Sequence, residues 1–428
     1  MAELRLITHA SEILTGAGFR TKDGRRVTEG DIGRIEDGAI VWSVKPRPRG
    51  SAPKKEALGE VGDRIEWVGR TSELPRKYSK LKSRNLRNRQ AVVAGLVDCH
   101  THLVFAGDRS EEFAMRCGGA TYEEIAARGG GILTTVKATR AASAEELEKL
   151  AIPRVREAWS YGIRTLEMKT GYALEWESEK RCLEVMGRLA VRYPEMTFRR
   201  TFLGAHAIPK DRDRREYIDD LCSRMLPEVS RRKLAHACDV FVDEGYYTVD
   251  EAREILERAR KLGLEIKIHA DELGDTGSAA LAARLGCLSA DHLLRVNDEG
   301  VRALAQARTV AVLLPGTAFY LRAAHAPARK LLEAGAAVAL STDFNPGTSM
   351  TLNLPAVMTI AALYLGMTRS EILAAVTYNA AKALGLEQRK GTLEPGLDAD
   401  LWVMPFARFE EAYYRFAWSP DAAPSTGR

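Results

Sequence analysis

Nowhere does this chain hold the roughly 18 to 20 consecutive apolar residues that a membrane helix needs, although 45% of its 428 residues are hydrophobic. A membrane partner is therefore not expected. Met1-Ala2-Glu3-Leu4-Arg5 lacks the basic start and apolar run of a signal peptide. Cysteine is sparse. Cys99, Cys117, Cys182, Cys222, Cys238 and Cys287 stand without paired spacing, so neither a disulfide framework nor a zinc ribbon is implied. A reduced, cytoplasmic setting is the expectation. A large excess of either charge is also missing, and the net +5 gives no reason to expect nucleic acid as a partner. The basic run from Arg76 to Arg89 reads as a solvated loop, and Lys45 to Lys55, rich in Pro and Arg, as a long hairpin loop. No glycine-rich dinucleotide fingerprint follows the first strand of the alternating region, which weakens an open nucleotide-binding sheet.

What is present is alternation. Eight short apolar runs read as buried strands: 91–97, 163–168, 196–203, 236–242, 264–269, 287–290, 309–314 and 336–341. Between them lie amphipathic stretches at 144–161, 177–192, 213–228, 249–262, 276–285 and 297–307. Strand–helix alternation implies parallel pairing through right-handed crossovers. Eight units predict an α/β fold with a closed (β/α)8 TIM-like barrel over residues 93–385. Short strand-like pieces at 4–7, 39–44, 64–68 and 399–404 flank it. They predict a small β-sandwich domain built from both chain ends, residues 1–92 and 386–428. The polar, glycine-rich segment from Gly107 to Ala141, including Gly129-Gly130-Gly131, is expected over the barrel mouth, where long loops tend to be functional.

Barrel enzymes carry their reactive groups at the C-terminal ends of strands. Here those ends read His100 and His102, then Tyr172, His206, His269 with Glu272, Asp291-His292, and Asp343 with Asn345 and Gly347. Five of eight histidines thus fall on one rim. Residues two apart on a strand share a face, so His100 and His102 point together and Cys99 points away. Three histidines and a carboxylate suit one zinc or iron ion with room for water, which makes His100, His102, His269 and Asp343 the expected ligands. Asp343 is also placed to take the proton of an attacking water, and His292 and Glu272 to pass it to a leaving nitrogen. Blander readings stand beside these. Asp343 in Asp-Phe-Asn-Pro-Gly could be a turn former, His206 a satisfied core histidine and Tyr172 simple packing at a strand end. Lys169 reads as structural and His236 as core.

His100-Thr101-His102-Leu103-Val104-Phe105-Ala106-Gly107-Asp108-Arg109, Phe113-Ala114-Met115-Arg116, Gly119-Ala120-Thr121-Tyr122 and Gly129-Gly130-Gly131-Ile132 resemble the imidazolonepropionase family of the amidohydrolase superfamily. So do Lys169-Thr170-Gly171-Tyr172, His269-Ala270-Asp271-Glu272 and Asp343-Phe344-Asn345-Pro346-Gly347-Thr348. The resemblance spans roughly 93–404. It implies a mononuclear zinc or iron enzyme, one ion per subunit, that hydrolyses the ring amide C–N bond of 4-imidazolone-5-propanoate to N-formimino-L-glutamate in histidine degradation. It also implies that Arg109, Tyr172, His206, Asn345, Gly347 and Thr348 bind substrate, that Glu272 contacts the ring, and that His292 assists the chemistry. Barrels of this superfamily are often dimers, so a homodimer is compatible with the resemblance. The rival within the superfamily is a deaminase of a cyclic amidine, and the rival outside it a non-catalytic barrel scaffold. Arg109 separates the first rival, since only an acid substrate needs it.

Overall fold

The computed structural model describes residues 3–119 and 130–420. Thr121, Tyr122 and Gly129, part of the segment expected over the barrel mouth, lie outside the described residues. Early in the chain come β1 (Glu3–Leu14), β2 (Arg34–Lys45), β3 (Val61–Arg70), β4 (Ser83–Asn85) and β5 (Val92–Ala94). Then follow β6 (Leu96–Asp98), β7 (Ile163–Lys169), β8 (Thr197–Ala205), β9 (Ala237–Val242), β10 (Glu265–Ala270), β11 (Ser289–His292), β12 (Val310–Leu313) and β13 (Val338–Leu340). The last strand is β14 (Leu401–Val403).

β6 to β13 form one eight-stranded sheet in sequence order, each neighbour parallel. The seam between β13 and β6 is closed just beyond the strand ends. There the Asp343 amide donates to the His100 carbonyl at 3.0 Å, the His102 amide donates to the Phe344 carbonyl at 2.9 Å, and Thr101 bridges Phe344 in parallel. The seam therefore joins two of the sequence-predicted site motifs directly.

Helices Ala144–Ser160, Trp176–Arg192, Val249–Lys261, Ser278–Leu285 and Asp298–Gln306 pack on the outside, close to the expected stretches. Their starts are encoded locally. Ser143 with Glu146, and Thr248 with Glu251, form reciprocal capping boxes that satisfy amides left unpaired at a helix N-terminus. Leu147, Ala151, Val155 and Ala158 recur at helical spacing on the buried face of the first of these helices.

The β-rich unit expected from both chain ends is a six-stranded mixed sheet of order β14-β5-β1-β2-β3, with β4 also on β1. β14 pairs antiparallel to β5, so the two ends of the sequence meet in one sheet. Two expectations need correction. The single strand read over 91–97 is two, divided at Gly95: β5 belongs to the mixed sheet and β6 to the barrel. A Cβ at Gly95 would meet Arg164 Cγ at 2.4 Å, so the change of sheet occurs where only glycine fits. The basic run 76–89, read as a loop, contains β4, whose residues 83–85 pair with Leu6 to Thr8. Tyr78 and Leu86 anchor that segment by burial. Among the described residues no helix is long and apolar enough to cross a membrane.

Candidate metal centre and active site

All five strand-end histidines converge. The His100 ring centroid lies 4.5 Å from that of His269, 5.5 Å from His102 and 5.4 Å from His292, while His206 stacks on His102 at 5.2 Å. His100, His102 and His269 each offer a nitrogen within 4.8 Å of the others, and so do His100, His292 and Asp343 for their ligand atoms. Asp343 Oδ1 is 3.4 Å from His100 Nε2 and 3.7 Å from His102 Nε2. Every member of this cluster is buried. His100 Nε2, His102 Nδ1 and His269 Nε2 have no hydrogen-bond partner, an arrangement that buried polar atoms rarely tolerate without a ligand. Burial, with the neighbouring Lys169 and imidazoles, holds His100 well below the usual histidine range, and burial does the same for His102 and His292. Uncharged imidazoles are the form that binds a metal. The donor set fits one divalent ion.

Beneath the histidines is a buried layer of charge. Asp291 Oδ2 lies 2.6 Å from His100 Nδ1, and Asp239 Oδ2 lies 3.0 Å from His269 Nδ1. The first is a hydrogen bond that fixes the His100 tautomer and leaves its Nε2 free for a ligand, whereas His269 Nδ1 stands at ion-pair distance from Asp239 without a hydrogen bond. Lys169 Nζ reaches Asp239 at 2.5 Å, Glu167 at 3.1 Å and Asp291 at 3.4 Å. Lys267 Nζ donates to Glu167 at 2.7 Å. Burial by itself would lower the Lys169 ammonium, but Asp239, Glu167 and Asp291 outweigh it and raise it well above its usual value. On the eighth-strand side, Thr317 Oγ1 donates to Asp343 Oδ2 at 2.6 Å. Burial pushes the Asp343 carboxyl up to about 7, against the pull of that hydrogen bond. Both Asp343 and His292 have positive φ, 51° and 78°, a strained backbone that suits a functional site.

The remaining candidates surround this centre unequally. Tyr172 lies 5.4 Å from His102 and 5.3 Å from His206 between ring centroids. His206 Nδ1 is 3.0 Å from the Gly171 carbonyl, which keeps a proton on that nitrogen. Glu272 Oε2 is 3.5 Å from His292 Nε2, and burial, then the like charges of Asp343 and Asp243, raise its carboxyl well above the usual range. Arg109 Nε and one terminal nitrogen each reach Glu112 Oε2 at 2.8 Å. Its other terminal nitrogen lies over Gly347, where a Cβ would approach it to 2.2 Å. Thus Gly347 makes room for Arg109. Asn345 instead spends its amide inside its own loop: Nδ2 donates to the Asp343 carbonyl and Oδ1 accepts from the Gly347 and Thr348 amides. Cys99 packs with Val97, Val310 and Val312, away from the histidines.

Sequence reading gave no role to Asp239, Asp291, Glu167, Lys267 or Thr317. A signal was there: Asp239 is a charged residue in an otherwise apolar strand, and Glu167, Lys267 and Asp291 are charged residues on strands that lead to site residues. Glu167 and Lys169, and likewise Lys267 and His269, are two apart and share the inner face of the barrel. Thr317 carried no such mark, since it reaches Asp343 from the helix Pro315–Leu321. His236, far from the site by sequence logic, accepts the Arg200 amide at 3.0 Å at the start of its strand.

Residues 91–417 match the amidohydrolase family. The chain is 46% identical over 404 residues to the imidazolonepropionase of Symbiobacterium thermophilum, covering 93% of this chain and 90% of that protein. It is 42% identical over 412 residues to the imidazolonepropionase of Geobacillus kaustophilus, covering 96% and 93%. Among solved structures it resembles a triazine hydrolase from Arthobacter aurescens, with TM-score 0.65, 16% identity and coverage of 93% and 86%. A guanine deaminase from C. acetobutylicum is similar at TM-score 0.63, 15% identity and coverage of 94% and 91%. These two likenesses concern the fold.

Proposed function

Because the chain belongs to the amidohydrolase family, and within it to the imidazolonepropionases, we infer that it hydrolyses the ring amide of 4-imidazolone-5-propanoate to N-formimino-L-glutamate. The observation that carries this reading to the level of residues is the buried convergence of His100, His102 and His269 with Asp343. These four would hold a single zinc or iron ion, in a protein we assign to the reducing cytoplasm. When bound, such an ion supplies Lewis acidity, lowering the pKa of a water and polarising a carbonyl.

The protein's own groups account for the rest. Arg109 binds the propionate through the guanidinium edge that Glu112 leaves free, and Gly347 keeps space for it. Tyr172 and His206 line the wall beside the ring. Asp343, held by Thr317, accepts the proton of the attacking water as its oxygen bonds to the ring carbonyl carbon. The amide C–N bond then breaks, and the proton passes to the departing ring nitrogen, with His292 and Glu272 beside it. A raised Glu272 carboxyl stays protonated and can donate to the ring, while a neutral His292 can relay. Asn345 and Thr348 shape the strand-eight loop on which Gly347 depends. An acid-binding Arg109 favours this substrate over a cyclic amidine without a carboxylate.

Turnover of 4-imidazolone-5-propanoate by metal-loaded protein, followed as loss of its ultraviolet absorbance, tests the reading. The expected result is turnover that disappears in His269→Ala and after stripping with a chelator. Fully metal-loaded protein that leaves the compound untouched, but hydrolyses another cyclic amide or amidine, would overturn it.

A further inference from the structure

The charged layer below the histidines does more than fill the barrel. Asp239 and Asp291 each approach a different candidate metal ligand, His269 at 3.0 Å and His100 at 2.6 Å. Both also approach the same ammonium, Lys169 Nζ, at 2.5 and 3.4 Å, and Glu167 completes its surroundings at 3.1 Å. All four side chains are fully buried. One oxygen on each aspartate, Oδ1, has no hydrogen-bond partner at all. Three carboxylates this close, out of water, repel one another strongly unless a cation lies among them. Lys267 supplies part of that charge, through Glu167 at 2.7 Å, but it is 3.8 Å from Asp291 and has no contact with Asp239 within ion-pair distance. Among the described residues only Lys169 touches both aspartates.

We propose that Lys169 is a positioning residue: its ammonium is a built-in cation that clamps Asp239 and Asp291 against His269 and His100, and it fills the place that a second metal ion would otherwise take, so that the centre holds one. The inference rests on the metal centre assigned under the proposed function. Charge counting supports it. Four carboxylates touch a ligand histidine or Lys169, namely Glu167, Asp239, Asp291 and Asp343. Two ammoniums, Lys169 and Lys267, lie among them, and one divalent ion offsets the remainder. A lysine also suits the place because its ammonium is a compact point charge with three donors that can turn toward three acids.

Metal content and metal affinity are the readouts, independent of turnover. Wild-type protein dialysed against millimolar zinc should saturate at one ion per chain. Lys169→Met fills the volume without the charge and should bind its ion about 10- to 100-fold more weakly, the usual cost of disturbing the outer partners of a ligand imidazole. The d–d spectrum of its cobalt form should shift as the imidazoles lose their fixed orientation. Lys169→Ala leaves the acids and a space, and should take up a second ion. Circular dichroism checks that each variant is folded. The proposal is overturned by folded Lys169→Met with wild-type affinity and cobalt spectrum, or by folded Lys169→Ala that still holds one ion. It is also overturned, with no variant needed, if the wild-type protein binds a second ion between Asp239 and Asp291. Wild-type protein that takes up no metal would remove the metal-centre reading itself, and this inference with it.

Discussion

At the scale of single residues, the chemistry is decided by which groups are charged inside the barrel. Burial keeps His100, His102 and His292 neutral at pH 6, whereas it pushes the Asp343 carboxyl up to about 7. Below that value the metal-free protein therefore carries a proton on Asp343. A divalent cation favours the charged carboxylate, so binding must expel that proton, while the neutral His100 and His102 have none to give. Calorimetric titration at pH 6 in two buffers of different ionisation enthalpy should report about one proton released per ion, falling toward zero at pH 8.5. Identical heats in both buffers at pH 6 would show that Asp343 is not the group displaced. Arg109 is the second test at this scale. Its fork is already half engaged by Glu112, leaving one planar edge for a substrate carboxylate. Arg109→Lys keeps the charge but loses the edge, and should raise KM by about 10- to 100-fold with little change in kcat, equivalent to roughly 1.5–3 kcal/mol. Equal KM values in steady-state assays would remove Arg109 from the site. Asp343 was legible in the sequence because strand-end position marks it, and Arg109 through the family resemblance of the segment that follows the first barrel strand. Thr317 was not, because a threonine on a helix gains its meaning only from the loop it faces.

At the scale of elements, the barrel strands were readable from apolar runs, and the helices from 3.6-residue periodicity bounded by capping residues. What escaped was register within strands. Asp239 on β9 and Lys267 on β10 face the barrel interior, and only the barrel's closure reveals that Asp239 meets Lys169 there and Lys267 meets Glu167. The division at Gly95 was equally hidden, since β5 and β6 read as one continuous run, and the break depends on the contact with Arg164 across a neighbouring strand. The turn after β7 shows how a backbone position builds a site. Gly171 has φ +106°, and a Cβ there would stand 2.8 Å from His206 Nδ1 and 2.9 Å from the Leu203 carbonyl. Its own carbonyl orients His206. Gly171→Ala should therefore cost at least about 1 kcal/mol in denaturant unfolding from the backbone alone, and displace His206 enough to raise KM several-fold. A variant with unchanged midpoint and unchanged KM would mean that the turn tolerates a side chain and does not set the His206 ring.

At the scale of the molecule, the mixed sheet and the catalytic rim lie at opposite ends of the barrel strands. β7 runs from Ile163, where Arg164 Nε donates to the Leu401 carbonyl of β14 at 3.2 Å, to Lys169 under the histidines. Seven residues of strand separate the two, about 20 Å at 3.3 Å per residue. The join is made by Trp402, buried on β14, whose ring fills the space over Gly162, where a Cβ would be 2.4 Å away. β14 also supplies the antiparallel partner of β5, so losing its packing loosens the strand that feeds directly into His100 and His102. Trp402→Ala should cost about 3–5 kcal/mol of stability, as large aromatic-to-alanine changes in a core do. Because the site's own contacts lie at the far ends of the strands, kcat, KM and metal content of the fraction still folded should match wild type at low temperature. Urea unfolding and steady-state kinetics on the same sample separate the two effects. A folded Trp402→Ala protein with impaired turnover at full metal content would show that the sheet tunes the rim through β5 and β6, rather than serving only to hold the barrel closed.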